Sequence, residues 1–192
     1  MLRESGDNNG RKRNILKPHD VKVIVKKNMA KYEIKDGVGI IPEGTTEIVD
    51  SAFSEQECTD SIKLKSIIIP DGVIRIGDSA FFGCENLVSI SIPDSVKTIG
   101  EYAFYGCEKL TSLIIPDSVT EIGQAAFECC KSLKTITLPD SITKMGISQF
   151  FYCNALETIL DPAQKVNFFK QLLADTGAFL HVPQPQIKAI EK

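Results

Sequence analysis

Histidine is almost missing from this chain of 192 residues: there are two, His19 and His181, near opposite ends. Both fall in stretches that read as solvated tails, so an imidazole-activated nucleophile is hard to assemble from them. Net charge is scarce as well, since 22 basic against 25 acidic residues leave −3. Such a balance creates no global field to draw the chain onto DNA, RNA or an anionic membrane, and no nucleic-acid partner is expected. Long apolar runs are also lacking. The first twenty residues hold no signal-peptide core, and nothing later approaches the ~20 apolar residues of a membrane span. A cytoplasmic location is the expectation from that absence. The small basic cluster Arg11, Lys12 and Arg13 is read as part of a flexible tail over 1–20.

Cysteine is present, but not in the pairs that chemistry wants. The six lie at 58, 84, 107, 129, 130 and 153, without the C-x-x-C spacing of a metal site. Cys84, Cys107, Cys130 and Cys153 follow one another at a constant interval of 23. Stacking at that interval brings them near the ~5.5 Å Cα separation of a disulfide, but side chains stacked in parallel do not aim at one another. Buried, reduced thiols are therefore expected. Cys129 lies outside the series and is the candidate for a reactive thiol. Glycines are spread through the chain instead of clustering before a helix, which excludes a phosphate loop. No catalytic residue, metal or cofactor is expected.

What the chain does have is a repeat. From Leu64 it reads LKSIIIPDGVIRIGDSAFFGCEN, from Leu87 LVSISIPDSVKTIGEYAFYGCEK, from Leu110 LTSLIIPDSVTEIGQAAFECCKS, and from Leu133 LKTITLPDSITKMGISQFFYCNA. Leu64, Ile67 and Ile69 give a short strand with its apolar side chains on one face. Pro70, Pro93, Pro116 and Pro139 end that strand in each copy, and the Asp that follows reads as turn-making, in preference to a calcium column. A second extended stretch, Val73 to Ile76, precedes Gly77, whose backbone a side chain would hinder. The segment D-S-A-F-F-G-C is expected to form a single helical turn that packs Ala80 and Phe81 inward. No unit buries its apolar set alone, so stacking is obligatory, and Phe53, Phe81, Phe104, Phe127 and Phe150 should form a spine.

This unit resembles the BspA-like, or Treponema-type, leucine-rich repeats of bacteria and protists, whose units share this length and end in the same A-F-x-x-C turn. The resemblance covers roughly residues 40 to 160. The expected fold is a leucine-rich-repeat solenoid, a short right-handed coil of mostly β-strands with short helical turns and a C-terminal capping helix.

The ends depart from the pattern. Residues 21–63 are read as an N-terminal cap with a degenerate first repeat, PEGTTEIVDSAF, in which Thr45 replaces valine and Val49 replaces glycine. Pro42 lies 28 residues before Pro70, so about five extra residues in SEQECTDSIK bulge out. The strand-like VKVIVKK and KYEIK should cover the open sheet end. The four full repeats occupy 64–155. A partial repeat and capping helix is expected over 156–178, with Asp161 as cap, Pro162 in the first turn and Gly177 as the stop, followed by a loose tail at 179–192.

With chemistry set aside, function falls to the surface. One candidate row follows the core phenylalanines: Phe82, Tyr105 and Phe151, interrupted by Glu128, with Tyr102 and Tyr152 nearby. Aromatics are enriched in binding hot spots. The alternative row is outward on the first strand and rich in hydroxyls: Ser66, Ser89, Ser91, Ser112, Thr135 and Thr137, with Thr158, Ile68, Ile114 and Leu160 in line. The expectation is a non-enzymatic protein-interaction scaffold, monomeric or weakly oligomeric, with a protein partner. The resemblance implies adhesin-like binding of host or neighbouring-cell proteins, and a cell-surface location if the native N-terminus is missing. The alternative is a recruitment module of an intracellular enzyme or regulatory complex.

Overall fold

The computed structural model describes residues 32–55, 60–161 and 186–189. Over them the chain forms a β-solenoid of about four turns with almost no helix. The first side of each coil is a strand that stops at the proline: β4 (Ser66–Ile68), β6 (Ser89–Ser91), β8 (Ser112–Ile114), β10 (Thr135–Thr137) and β12 (Thr158–Asp161). The second side is shorter: β3 (Glu47–Ile48), β5 (Arg75–Ile76), β7 (Thr98–Ile99), β9 (Glu121–Ile122) and β11 (Lys144–Met145). Strands pair in parallel and in repeat register, Ile76 with Ile99 and Ile99 with Ile122. Each apolar residue therefore meets its own equivalent one coil along. Leu64, Ile67, Ile69, Val73, Ile76, Ala80 and Phe81 are all buried in the first full coil. The five phenylalanines stack with centroids 5.3, 5.3, 5.9 and 5.8 Å apart and planes within 12° of parallel.

The third side is not a helical turn, contrary to expectation. Ser79, Tyr102, Ala125 and Ser148 have φ of 52–61°, the left-handed region, and Gly83, Gly106, Cys129 and Tyr152 repeat the feature four residues later. The reason is a ladder between coils. Ser79, Phe81 and Gly83 donate their backbone N–H groups to the carbonyls of Glu101, Ala103 and Tyr105 in the next coil at 2.7–2.8 Å, while Phe82 and Cys84 close local turns onto Ser79 and Phe81. A helix would spend all of those donors within its own coil, and the stack would lose its third seam.

Ladder bonding is interrupted at one junction. The first side divides into a sheet in the order β1 (Glu33–Lys35), β2 (Val38–Ile40), β4, β6 and another in the order β13 (Gln186–Ala189), β12, β10, β8, whereas the second side is one sheet of five strands. Among the described residues, no backbone hydrogen bond joins 88–92 to 111–115. Ile90 and Ile92 are only partly buried there, although their equivalents Ile67, Ile69, Leu113 and Ile115 are buried.

The N-terminal end closes with a hairpin. β1 runs antiparallel to β2 through Asp36 and Gly37, both at positive φ, as a two-residue turn that follows the right-handed twist of its strands requires. Tyr32 packs on the first coil: its hydroxyl donates to the Glu47 carbonyl at 3.0 Å and its ring lies 5.3 Å from Phe53. The expected strand at 21–27 and the capping helix with its stop at Gly177 lie outside the described residues. Asp161 belongs to β12 and pairs with Ala189, and β13 (Gln186–Ala189) lies parallel to β12, so this part of the expected loose tail is bound to the sheet.

Candidate functional site

Inside the coil, the side chains that looked chemical are at work as structure. Cys84, Cys107, Cys130 and Cys153 are buried thiols that donate to the carbonyls of Phe53, Phe81, Phe104 and Phe127 in the preceding coil, at 3.0–3.4 Å. A thiol here fills the volume of a small apolar group and ties its coil to a carbonyl of the one before. Burial holds the Cys107 thiol well above its ordinary pKa, the reverse of an activated nucleophile. Cys129, the candidate reactive thiol, is partly buried and is likewise shifted upward, first by desolvation. It is not activated either. Among the described residues no group of three or more His, Cys, Asp or Glu side chains is placed to hold a metal ion.

The glycine column is structural for want of space. A Cβ on Gly100 would lie 2.3 Å from Asp78 Oδ1 and 2.6 Å from its backbone nitrogen. Asp78 Oδ1 in turn accepts the N–H of Glu101 at 2.9 Å. The charges beside this column pair with one another: Arg75 bonds Glu47 and reaches Asp50 at 2.9 Å, and Lys144 meets Glu121 at 2.9 Å. The outward row of the second sheet is largely committed to the protein itself.

The aromatic row is also partly committed. Phe82 and Tyr105 stack at 4.7 Å with planes 5° apart, Tyr102 meets Tyr105 edge-on at 6.1 Å, and Phe151 meets Tyr152 at 4.3 Å. Phe82, Tyr102, Tyr105 and Phe151 are half-buried, and Tyr152 alone is exposed. Through its hydrogen bond with Cys129, then burial and nearby acidic groups, the Tyr105 phenol is pushed up to about 12. The Phe82 and Tyr105 rings lie flat on one another across adjacent coils.

The first-side face is different. Ser66, Ser89, Ser112, Thr135 and Thr158 align across it, and Ile68, Ser91, Ile114, Thr137 and Leu160 form the second row. No charged residue interrupts either row, in a chain that is 24% charged. Ile68 and Ile114 are 73% and 70% exposed, more than any other large apolar side chain among the described residues. Val38 and Ile40 extend the same surface onto β2.

The corner next to this face holds a feature that motif reading assigned wrongly. Asp71, Asp94 and Asp117 follow the prolines, yet their carboxylates make no hydrogen bond in the turn among the described residues. Serine does that work: Ser95, Ser118 and Ser141 donate to the carbonyls of Val73, Val96 and Val119 in the preceding coil at 2.6–2.8 Å. The recurrence of serine after P-D was the available signal.

The profile of the BspA type leucine-rich repeat region matches residues 46–175 in six copies. The chain belongs to the BspA-type leucine-rich repeat family. Among solved structures, a leucine-rich repeat protein from T. pallidum is similar at 28% identity and TM-score 0.58 over 67% of each chain. A leucine-rich repeat protein from Bacteroides ovatus is 32% identical with TM-score 0.55, covering 70% of this chain and 32% of that one. The pneumococcal vaccine antigen PcpA shares the fold at 22% identity and TM-score 0.60, over 82% of this chain and 42% of its own. The chain thus spans less than half of the latter two. No curated protein sequence matches it significantly. Leucine-rich repeats of this type suggest a protein-interaction scaffold, and no helix among the described residues is long and apolar enough to cross a membrane.

Proposed function

We propose that the chain is a non-enzymatic scaffold that binds a protein partner on its first-side face. One observation carries the reading: two aligned outward rows contain no charge and present Ile68 and Ile114 to solvent. The other repeated apolar, thiol and hydroxyl positions have a structural employment in the spine, the thiol column or the serine corner, and the charges of the second side pair with one another. Large apolar side chains held out on a flat, uncharged sheet lose little by desolvation and gain by contact. The half-buried aromatic row is the lesser candidate, since its rings already spend their faces on one another. An adhesin-like contact with a host or neighbouring-cell protein would use this face, as would recruitment within an intracellular complex.

The test compares two variants against a partner isolated on the wild-type chain. Ile68→Lys with Ile114→Lys should leave melting unchanged and weaken binding at least tenfold, because charge and bulk block a flat contact. Phe82→Ser with Tyr105→Ser should bind within threefold of wild type once folding is matched. The reverse pattern would move the site to the aromatic row.

A further inference from the structure

The face is bounded by a ridge of unpaired carboxylates. Asp71, Asp94 and Asp117 are exposed, and Glu43 stands one coil earlier; none of the four meets a cation within 4.0 Å among the described residues. Glu43, Asp71 and Asp94 line a hollow of about 520 Å³ together with Ile68, Ser91 and Ile92, so ridge and face share one concavity. The turns stand without these carboxylates, held by serine hydroxyls and by backbone bonds such as Val96 N–H to the Pro93 carbonyl. Like charges repeated at a strand spacing of ~4.8 Å repel one another and give the fold nothing in return. Elsewhere the repeated acids are used: Glu47, Asp50 and Glu121 all bond cations.

Resting on the reading of the face given above, we infer that its partner element is a cationic amphipathic α-helix lying along the solenoid axis. The apolar stripe of the helix covers Ile68, the serines and Ile114, and its Lys or Arg side chains run over Glu43, Asp71, Asp94 and Asp117. The dimensions agree. A three-residue strand is ~10 Å long, close to the 10–12 Å diameter of a helix. Ile68 and Ile114 stand at equivalent positions two coils apart on this face, a separation comparable to the ~10.5 Å that one heptad of helix advances. Cations three and four residues apart are ~5–6 Å from one another, near the ~4.8 Å step of the ridge. Apolar anchoring fixes the helix on the groove and the charged side fixes its orientation.

Synthetic 18-residue helical peptides test this on the full chain by fluorescence anisotropy. One carries a leucine stripe flanked by arginine at heptad-compatible positions; a second has glutamate for each arginine; a third keeps the arginine composition but is held extended by prolines. Wild type should bind the arginine helix at least tenfold more tightly than the other two, with affinity falling as salt rises. Asp71→Asn, Asp94→Asn and Asp117→Asn together should erase the preference for arginine over glutamate, and Ile68→Ser with Ile114→Ser should weaken the arginine helix fivefold or more. Should the arginine and glutamate helices bind alike while both respond to the isoleucine variant, the face reading stands and the cationic partner is refuted. Equal binding of the extended peptide refutes the helix. Binding that ignores the isoleucine variant refutes the face and the inference together, and no binding of the arginine helix refutes the inference. Melting temperatures verify that the asparagine variant folds. If it does not, salt-independent binding of the arginine helix by wild type is the refuting result.

Discussion

Replacing Phe104 with alanine probes the join on which the solenoid depends most. The ring is fully buried between Phe81 at 5.3 Å and Phe127 at 5.9 Å. Its neighbours cannot collapse into the space, because Tyr102 and Phe104 hold the next coil by backbone bonds of 2.8 Å to Gln124 and Ala126. An unrelaxed cavity puts the cost at the upper end of the ~3–5 kcal/mol typical of a buried phenylalanine. The junction also lacks its first-side ladder, leaving the second sheet, the turn ladder and the spine to bind the two halves. Against a total of about 5–15 kcal/mol, that loss lowers Tm on the order of 10 °C. Urea unfolding of the intact chain measures it, with Ile68→Ala as the control; at 73% exposure that change should stay within ~0.5 kcal/mol. A cost below ~1 kcal/mol for Phe104→Ala would refute the spine as the element that joins the coils.

Two glycines of one coil should differ. Gly100→Ala forces a Cβ into the backbone of the preceding coil and should cost ~3 kcal/mol or more by urea unfolding, whereas Gly106→Ala meets only ordinary van der Waals contact with Gly83 and should cost only the ~1–2 kcal/mol of a left-handed alanine. Equal costs would refute the close approach. On brief alkylation near pH 8, Cys129 should be the one labelled thiol among the five described, and slower than a free cysteine; mass mapping that finds Cys84 or Cys107 labelled contradicts the burial. Alkaline titration at 295 nm should show the Tyr105 phenol ionising near pH 12. Because its folded pKa lies above the unfolded value, its contribution to stability is full below about pH 10 and declines as pH rises toward 12. In hydrogen exchange, the amide of Ile92 should exchange faster than those of Ile115 and Leu138, which donate to Thr137 and Leu160 at 3.0 Å. Equal protection would mean that the ladder is continuous.

Much of this architecture can be read from periodicity, because a 23-residue repeat dictates that like residues stack and that its apolar positions point inward. Phe81, Cys84 and Val73 are cases in which recurrence and burial express one constraint. The third side could not be read in that way. Non-glycine residues such as Ser79 and Tyr102 adopt positive φ only because carbonyls in the next coil call for their N–H groups, and such a demand leaves no local mark. The pairing of β13 with β12 and the break between β6 and β8 are equally long-range. Gln149, which replaces the core alanine of the repeat, is fully buried and donates to the carbonyls of Gly123 and Gly146. Nothing in its neighbours announces that rescue. Alternation gives KYEIK only as a strand and misses the hairpin at Asp36 and Gly37, although Asp-Gly is a usual hairpin turn. At the candidate surface, repeat arithmetic located both rows, but only packing shows that the rings of Phe82 and Tyr105 lie flat while Ile68 stands out.

That difference bears on why a solenoid so uniform inside is unequal outside. Stacking imposes the same geometry on every coil, so an outward position that serves the fold should carry the same chemistry each time, as Ser95, Ser118 and Ser141 do. A position free of structural duty is constrained by what it meets in solution. The first-side rows alternate isoleucine, serine and threonine without charge, and β-propensity accounts for the branched residues but not for the exclusion of lysine and glutamate, which solubility would favour on an exposed sheet. Uncharged strands presented side by side also invite aggregation, a cost that the Asp71, Asp94 and Asp117 ridge offsets by repelling an identical ridge brought against it in parallel alignment. The same ridge admits a surface of opposite sign, so protection from self-association and choice of partner become two consequences of one row of carboxylates.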